Sequence, residues 1–160
     1  SSSSSISPWG QNGPATSYTE DRTLSETEER ALDHAEAFPH LESALCFLVD
    51  WPAHERAARL VISRAEELDG DNYETLTQAA DGLEVNYPLA ATLMLRAMIN
   101  DTLDRAKSSR YRHAARHLAE CRSFHAAIED YRDFPPHARF VEALMQKHGR
   151  KYGFWQLVET

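Results

Sequence analysis

Pro88-Leu89-Ala90-Ala91-Thr92-Leu93-Met94-Leu95-Arg96-Ala97-Met98-Ile99-Asn100-Asp101-Thr102-Leu103-Asp104 carries apolar side chains on nearly every side of a helical axis. A helix apolar all round must be covered on more than one face, so 88–104 is expected to be the central helix of a bundle. Pro88 suits its first turn, where the missing N–H would have no partner in any case. Immediately before it, Tyr73, Leu76, Ala80, Leu83 and Tyr87 keep the spacing of an amphipathic helix, with Asp71 and Glu74 as a capping pair. Asp69-Gly70-Asp71 supplies the turn that leads into it.

The same period continues outward on both sides. Ala57, Leu60, Val61, Ala65 and Leu68 make one stripe over 53–68, and Leu41, Ala44, Leu45, Leu48 and Val49 another between Pro39 and Trp51-Pro52. Ser25-Glu26-Thr27-Glu28 reads as a capping box opening an acidic outer helix. On the C-terminal side, Tyr111, Ala114, Ala115, Leu118 and Ala119 point inward from a helix that starts near Ser109 and runs toward Ile128. Pro135-Pro136 start another with Phe140, Val141, Leu144 and Met145, for which Gly149 is placed as the left-handed residue past the end. Phe154, Trp155, Leu157 and Val158 should dock on the last helix pair. No segment alternates with period two, so the fold class is all-α, about seven helices joined by short turns as stacked antiparallel hairpins.

The 160 residues suit one domain, and 42% apolar residues suffice for a core. Six glycines and seven prolines are too few for a turn-dense β-sandwich. No run approaches the length of a membrane span. Residues 1–23, beginning Ser1-Ser2-Ser3-Ser4-Ser5 and carrying Pro8, Gly10, Gly13 and Pro14, read as a tail or linker, which leaves 24–160 as a single helical domain. The first residue is Ser, so the chain is expected to be processed or part of a longer protein; no signal peptide is visible, and a reducing cytoplasmic setting is the default. Two cysteines make no disulfide framework. Cys46, inside Leu45-Cys46-Phe47-Leu48-Val49, is expected to be a buried free thiol.

Ala57-Ala58-Arg59-Leu60 with Arg64-Ala65 echoes in Ala90-Ala91-Thr92-Leu93 with Arg96-Ala97, and more weakly in Ala114-Ala115 with Leu118. A pitch in the mid-thirties is that of stacked helical hairpins, where paired alanines let backbones approach. Trp51-Pro52-Ala53-His54 with Arg56-Ala57-Ala58-Arg59-Leu60, Tyr87-Pro88-Leu89-Ala90-Ala91, Tyr111 with His113-Ala114-Ala115-Arg116, and His148-Gly149-Arg150-Lys151 before Gly153-Phe154-Trp155 resemble the C-terminal part of an uncharacterised bacterial family. The resemblance covers about 39–158. It implies tetratricopeptide-like (α-solenoid) helices, no assigned activity and no catalytic residues.

The strongest chemical signal is a charge split. Residues 1–104 hold 6 basic and 19 acidic groups, a net −13, whereas 105–160 hold 11 and 6, a net +5. Arg105, Lys107, Arg110, Arg112 and Arg116 crowd one region, and five of eight histidines fall in the basic part. Such a patch suits an acidic peptide or phosphate; the plainer alternative is that it faces the chain's own acidic half. His113, His117, Cys121 and His125 recur every fourth residue. His113 and His117 are therefore weak metal candidates, because each step of four turns about 40° and one straight helix cannot bring all four to one ion. Arg64 and Arg96 lie on or beside apolar stripes and need partners, for which Glu67, Asp101 or Asp104 qualify. No phosphate loop, nucleophile elbow or dinucleotide motif occurs.

Three functional classes follow. The leading expectation is a non-enzymatic helical-repeat module that binds a protein or peptide, an acidic one, through Arg110, Arg112, His113, Arg116 and His117, with no cofactor and no membrane. The second is nucleic-acid binding through the basic 105–151 segment. The third is an unrecognised metal-dependent enzyme.

Overall fold

The computed structural model describes residues 30, 40–50 and 54–158. The stretch 1–23, the capping box at Ser25–Glu28 with most of the helix it opens, Pro39 and Trp51-Pro52 lie outside the described residues. The chain divides into two compact units, Ser1–Ala37 and Phe38–Thr160, and every helix below belongs to the second. Among the described residues the fold is all-α, with seven α-helices and no strand. They are α1 (Leu41–Asp50), α2 (His54–Ser63), α3 (Tyr73–Leu83), α4 (Pro88–Asp104), α5 (Tyr111–His125), α6 (His137–His148) and α7 (Tyr152–Val158); 3-10 turns sit at Ala65–Glu67 and Ser108–Arg110.

α4 has the bounds its sequence requires, with Pro88 at the start and buried residues on every side, among them Leu89, Leu93, Met94, Leu95, Met98, Ile99 and Leu103. It packs against α2, α3 and α5. α1 lies on α2 and α3, through Leu41, Ala44, Leu45 and Leu48. α7 lies on α5, where Phe154 is fully buried and meets Tyr111 edge-on at 6.1 Å. Trp155 Nε1 donates to the His148 carbonyl at 2.9 Å, so the C-terminal apolar segment reaches both α5 and the end of α6. The alanine pairs Ala57-Ala58, Ala90-Ala91 and Ala114-Ala115 are all buried. Small side chains there allow α2, α4 and α5 to approach closely.

Several local expectations are corrected. α2 ends at Ser63, because Arg64 leaves the helical region (φ −118°, ψ 37°); Ala65 and Leu68 are only half-buried. Asp71 does not cap α3. Its backbone N–H bonds Asp69 Oδ1 at 3.0 Å while its carboxylate pairs with Lys107 at 3.1 Å, which leaves Asn72 at the cap position without a side-chain bond. Gly149 ends α6 in right-handed geometry (φ −61°). Cys46 is exposed and Cys121 is the buried thiol, because Cys46 lies about 100° round α1 from Leu45, off the apolar stripe. Ala119 and Met145 also face outward. α5 ends at His125, and Ile128 is buried from the following turn.

Two backbone positions carry a measurable constraint. α4 closes with Lys107 N–H on the Thr102 carbonyl (3.0 Å) and Ala106 N–H on the Leu103 carbonyl (3.1 Å). This Schellman arrangement forces Ala106 to φ 51°, a conformation that favours glycine. At Gly70 the opposite applies: a Cβ would overlap the Ala97 carbonyl and the Asp101 Cβ, so the 69–71 turn approaches α4 only without a side chain. Ala106→Gly is therefore predicted to raise unfolding stability by about 0.5–1 kcal/mol. Gly70→Ala should lower it by about 1–3 kcal/mol. Urea midpoints measured on both variants check the pair, and a loss in A106G would contradict the strain assigned to Ala106.

Candidate functional site

α3 and α5 both rest on α4 and run alongside one another with their N-terminal ends together. At those ends the Arg110 guanidinium carbon sits 3.7 Å from the centre of the Tyr73 ring, and Lys107 pairs with Asp71. Between them lies a groove of about 800 Å³. Ala80 and Leu95 form its floor; Glu74, Thr77, Gln78, Asp81 and Glu84 make the α3 wall. Arg110, His113, Arg116, His117 and Glu120 make the α5 wall. One wall is thus acidic and the other basic apart from Glu120, which pairs with Arg116 at 3.6 Å.

Four of the five expected contact residues, Arg110, His113, Arg116 and His117, line this groove; Arg112 does not. At about 100° per residue, His113, His117 and Glu120 fall within about 60° of one another, and Arg116 lies beside them. Arg112 lies about 100° from His113, outside the face, and is exposed. Nothing in the sequence singles out the acidic wall. Its residues look like any solvated polar stripe, and only the packing of α3 and α5 on α4 makes them face a basic partner.

Electrostatics within the groove depend on burial. His117 has its pKa pushed down to about 4, chiefly by burial and secondarily by His113, Arg110 and Arg116. Its Nδ1 is buried with no hydrogen-bond partner. His117 is therefore neutral at pH 7 and the wall's charge comes from Arg110 and Arg116. The rest of the basic cluster is partly consumed by the acidic half: Arg105 pairs with Asp101 (3.1 Å), and Lys107 with Asp71 and Asp101 (3.1 and 3.7 Å). Lys147 likewise pairs with Asp104 at 3.5 Å.

The fourfold His/Cys repeat is dispersed, as its 40° steps require. His113 and His117 face the groove, Cys121 is buried with its Sγ 3.9 Å from the Thr92 carbonyl, and His125 Nδ1 meets the Tyr131 hydroxyl at 2.8 Å. Among the described residues no three His, Cys, Asp or Glu side chains gather as a metal-binding set. Burial pushes the Cys121 thiol up to about 12, so it remains protonated and is a poor nucleophile.

Arg64 pairs with Glu67 as expected, at 2.6 Å. Arg96 does not pair with Asp101 or Asp104. Only 6% exposed, it donates from Nη1 to the Pro135 carbonyl at 3.0 Å. Its guanidinium carbon lies 4.6 Å from the Phe140 ring centre and 5.6 Å from that of Tyr131. Nε and Nη2 have no partner, and burial lowers its pKa. The carboxylates fail to reach it for angular reasons: Asp101 lies about 140° round α4 from Arg96, and Asp104 is two turns away.

Among the described residues the chain is thus an all-α bundle with an open groove whose two walls carry opposite charge. Residues 21–157 match the family described as a family of unknown function (DUF6880), and the chain belongs to that family. No curated protein and no solved structure matches it.

Two predictions follow from burial. Between pH 6.5 and about 4 the unfolded chain binds a proton that folded His117 refuses, so stability falls as pH drops through that window. His137 and His148, also lowered mainly by burial, act in the same direction. The His117 part should amount to about 1–2 kcal/mol between pH 7.5 and 5, and His117→Gln should flatten the urea-midpoint profile there; an unchanged slope would contradict the assignment. Arg96→Met keeps the volume and removes a poorly paired buried charge, so its stability is expected within about 1 kcal/mol of the parent. Arg96→Ala, which leaves a cavity, should lose about 2 kcal/mol or more in the same denaturation assay.

Proposed function

We propose that this chain is a non-enzymatic helical-repeat module that binds a protein or peptide in the groove between α3 and α5. The observation that carries the reading is the convergence of Arg110, His113, Arg116 and His117 on one open groove. Acidic groups of the partner would face that wall, with exposed Arg116 supplying charge and neutral His117 a hydrogen-bonding nitrogen. The tetratricopeptide-like character belongs to the same proposal, supported by the recurrence of buried alanine pairs on α2, α4 and α5. Among the described residues no helix is long and apolar enough to cross a membrane, which fits a partner met in water; a cytoplasmic setting remains part of the proposal.

Nucleic-acid binding through 105–151 is the weaker reading on physical grounds. Arg105, Lys107 and Lys147 already face carboxylates, and the wall opposite Arg110 and Arg116 carries Glu74, Asp81 and Glu84. A phosphate chain laid in the groove would meet that acidic wall.

Arg112 supplies an internal control, since it is on the same helix but off the groove. In a quantitative pull-down, Arg116→Glu should deplete the specific partners about tenfold, whereas Arg112→Glu should leave them unchanged. Partner sets equal across the parent and both variants would sink the groove as the binding site.

A further inference from the structure

The two walls of the groove carry opposite charge, and this defines the partner more narrowly than the basic wall alone does. We propose that the occupant is an amphipathic α-helix with one basic and one acidic edge, lying along the groove as an additional helix of the bundle. This rests on the groove being the binding site and specifies what fills it.

The walls set both shape and charge. α3 spans 11 residues, so the groove runs for about 16 Å, or three helical turns. Glu74, Asp81 and Glu84 mark the α3 wall at spacings of seven and three; Arg110, His113 and Arg116 mark the α5 wall at three and three. Successive wall residues thus rise by roughly one or two turns, about 4.5–10.5 Å, which matches the three- and four-residue rows on a partner helix. An extended peptide repeats along one edge about every 6.8 Å and drifts out of register with them. The floor, Leu95 and Ala80, is only 2% and 5% exposed, so a partner helix would touch it with a narrow stripe at most and owe its placement to the charged walls.

A uniformly acidic helix would satisfy Arg110 and Arg116 but set like charges against Glu74, Asp81 and Glu84. A uniformly basic helix would reverse the conflict. A two-edged helix satisfies both walls, and because turning it end for end exchanges its edges, the arrangement of edges selects direction rather than binding.

The test uses the full chain and three designed helical peptides of about 14 residues sharing one leucine stripe. One has lysine on one edge and glutamate on the other, one has glutamate on both, and one has lysine on both; a fourth repeats the mixed composition with a central proline. Fluorescence anisotropy at about 20 mM salt keeps surface charges unscreened. The mixed helix should bind about tenfold or more tightly than either uniform helix, and the proline peptide should lose that advantage. The triple variant E74K/D81K/E84K, with Glu74 and Asp81 exposed and Glu84 half-buried, should move the preference to the all-glutamate helix. If the all-glutamate helix binds the parent as well as the mixed one, and R116E weakens both, the groove binds but the two-edged partner is wrong. If the proline peptide binds equally, the occupant is not helical. If no peptide binds, or binding ignores changes on both walls, the groove reading falls with the inference.

Discussion

The structure depends on covering one helix. Apart from the side of Ala97, Asn100, Asp101 and Asp104, α4 cannot expose a face without exposing leucine, methionine or isoleucine, and seven large apolar residues along it are buried. At about 1.5–3 kcal/mol for each such side chain, the incentive to surround it exceeds what capping or ion pairs on this surface supply. α2, α3 and α5 provide that cover, and α1 and α7 close over them. The alanine pairs set how closely the helices lie: Ala90-Ala91 on α4, Ala57-Ala58 on α2 and Ala114-Ala115 on α5 remove side-chain volume where backbones approach. Gly70 extends the rule to a turn, since any Cβ there would strike α4.

That same requirement creates the groove. Two helices laid side by side on a third leave a valley along the line between them, and its walls are whatever residues sit beside the buried stripes. On α3 those residues are Glu74, Gln78 and Asp81, flanking Leu76, Ala79, Ala80 and Leu83; on α5 they are His113, Arg116 and His117, flanking Ala114, Ala115 and Leu118. The net charge of −8 conceals this arrangement. The acidic and basic parts of the chain meet along α3 and α5, where some charges pair directly, as Asp71 does with Lys107, and others face each other across open space.

The helices were legible in the sequence where burial alone determines them. α4 ends where its apolar run ends. α3 and α5 keep the centres of their stripes, Leu76, Ala80 and Leu83 on one and Ala114, Ala115 and Leu118 on the other, while Tyr73 and Ala119 are exposed. Two of the misplacements depend on local contests that periodicity does not encode. Arg64 leaves the helix and binds Glu67, which cuts α2 short although Leu68 continues the stripe. Asp71 has a capping geometry in sequence but is drawn to Lys107, 36 residues away. Cys46 sits among apolar neighbours in sequence yet 100° off the stripe, a distinction the hydrophobic run hides. Of the site, the α5 wall could be read because basic groups at helical spacing stand out. The α3 wall could not, because acidic residues on an exposed face are the ordinary case.

Arg96 shows how the covered helix connects the groove to the rest of the fold. It lies next to Leu95, about 100° round α4, so the groove floor and the Arg96 site occupy adjacent faces of one helix. A leucine there would bury more cheaply, since two guanidinium nitrogens lack partners and such groups cost about 1–3 kcal/mol each. What Arg96 does that leucine cannot is bond the Pro135 carbonyl while lying against Phe140, holding both the start of α6 and its first turn. At the other end of α6 the attachments are again polar, with Lys147 and His148 near Asp104 and the Trp155 indole on the His148 carbonyl. α6 thus adds directional contacts at its two ends to the burial of Phe140 and Leu144, whereas α3 and α5 are fixed by burial along their length. The walls of the groove accordingly stand on two helices whose inner faces are buried against α4, and a helical partner would add its contacts to that packing.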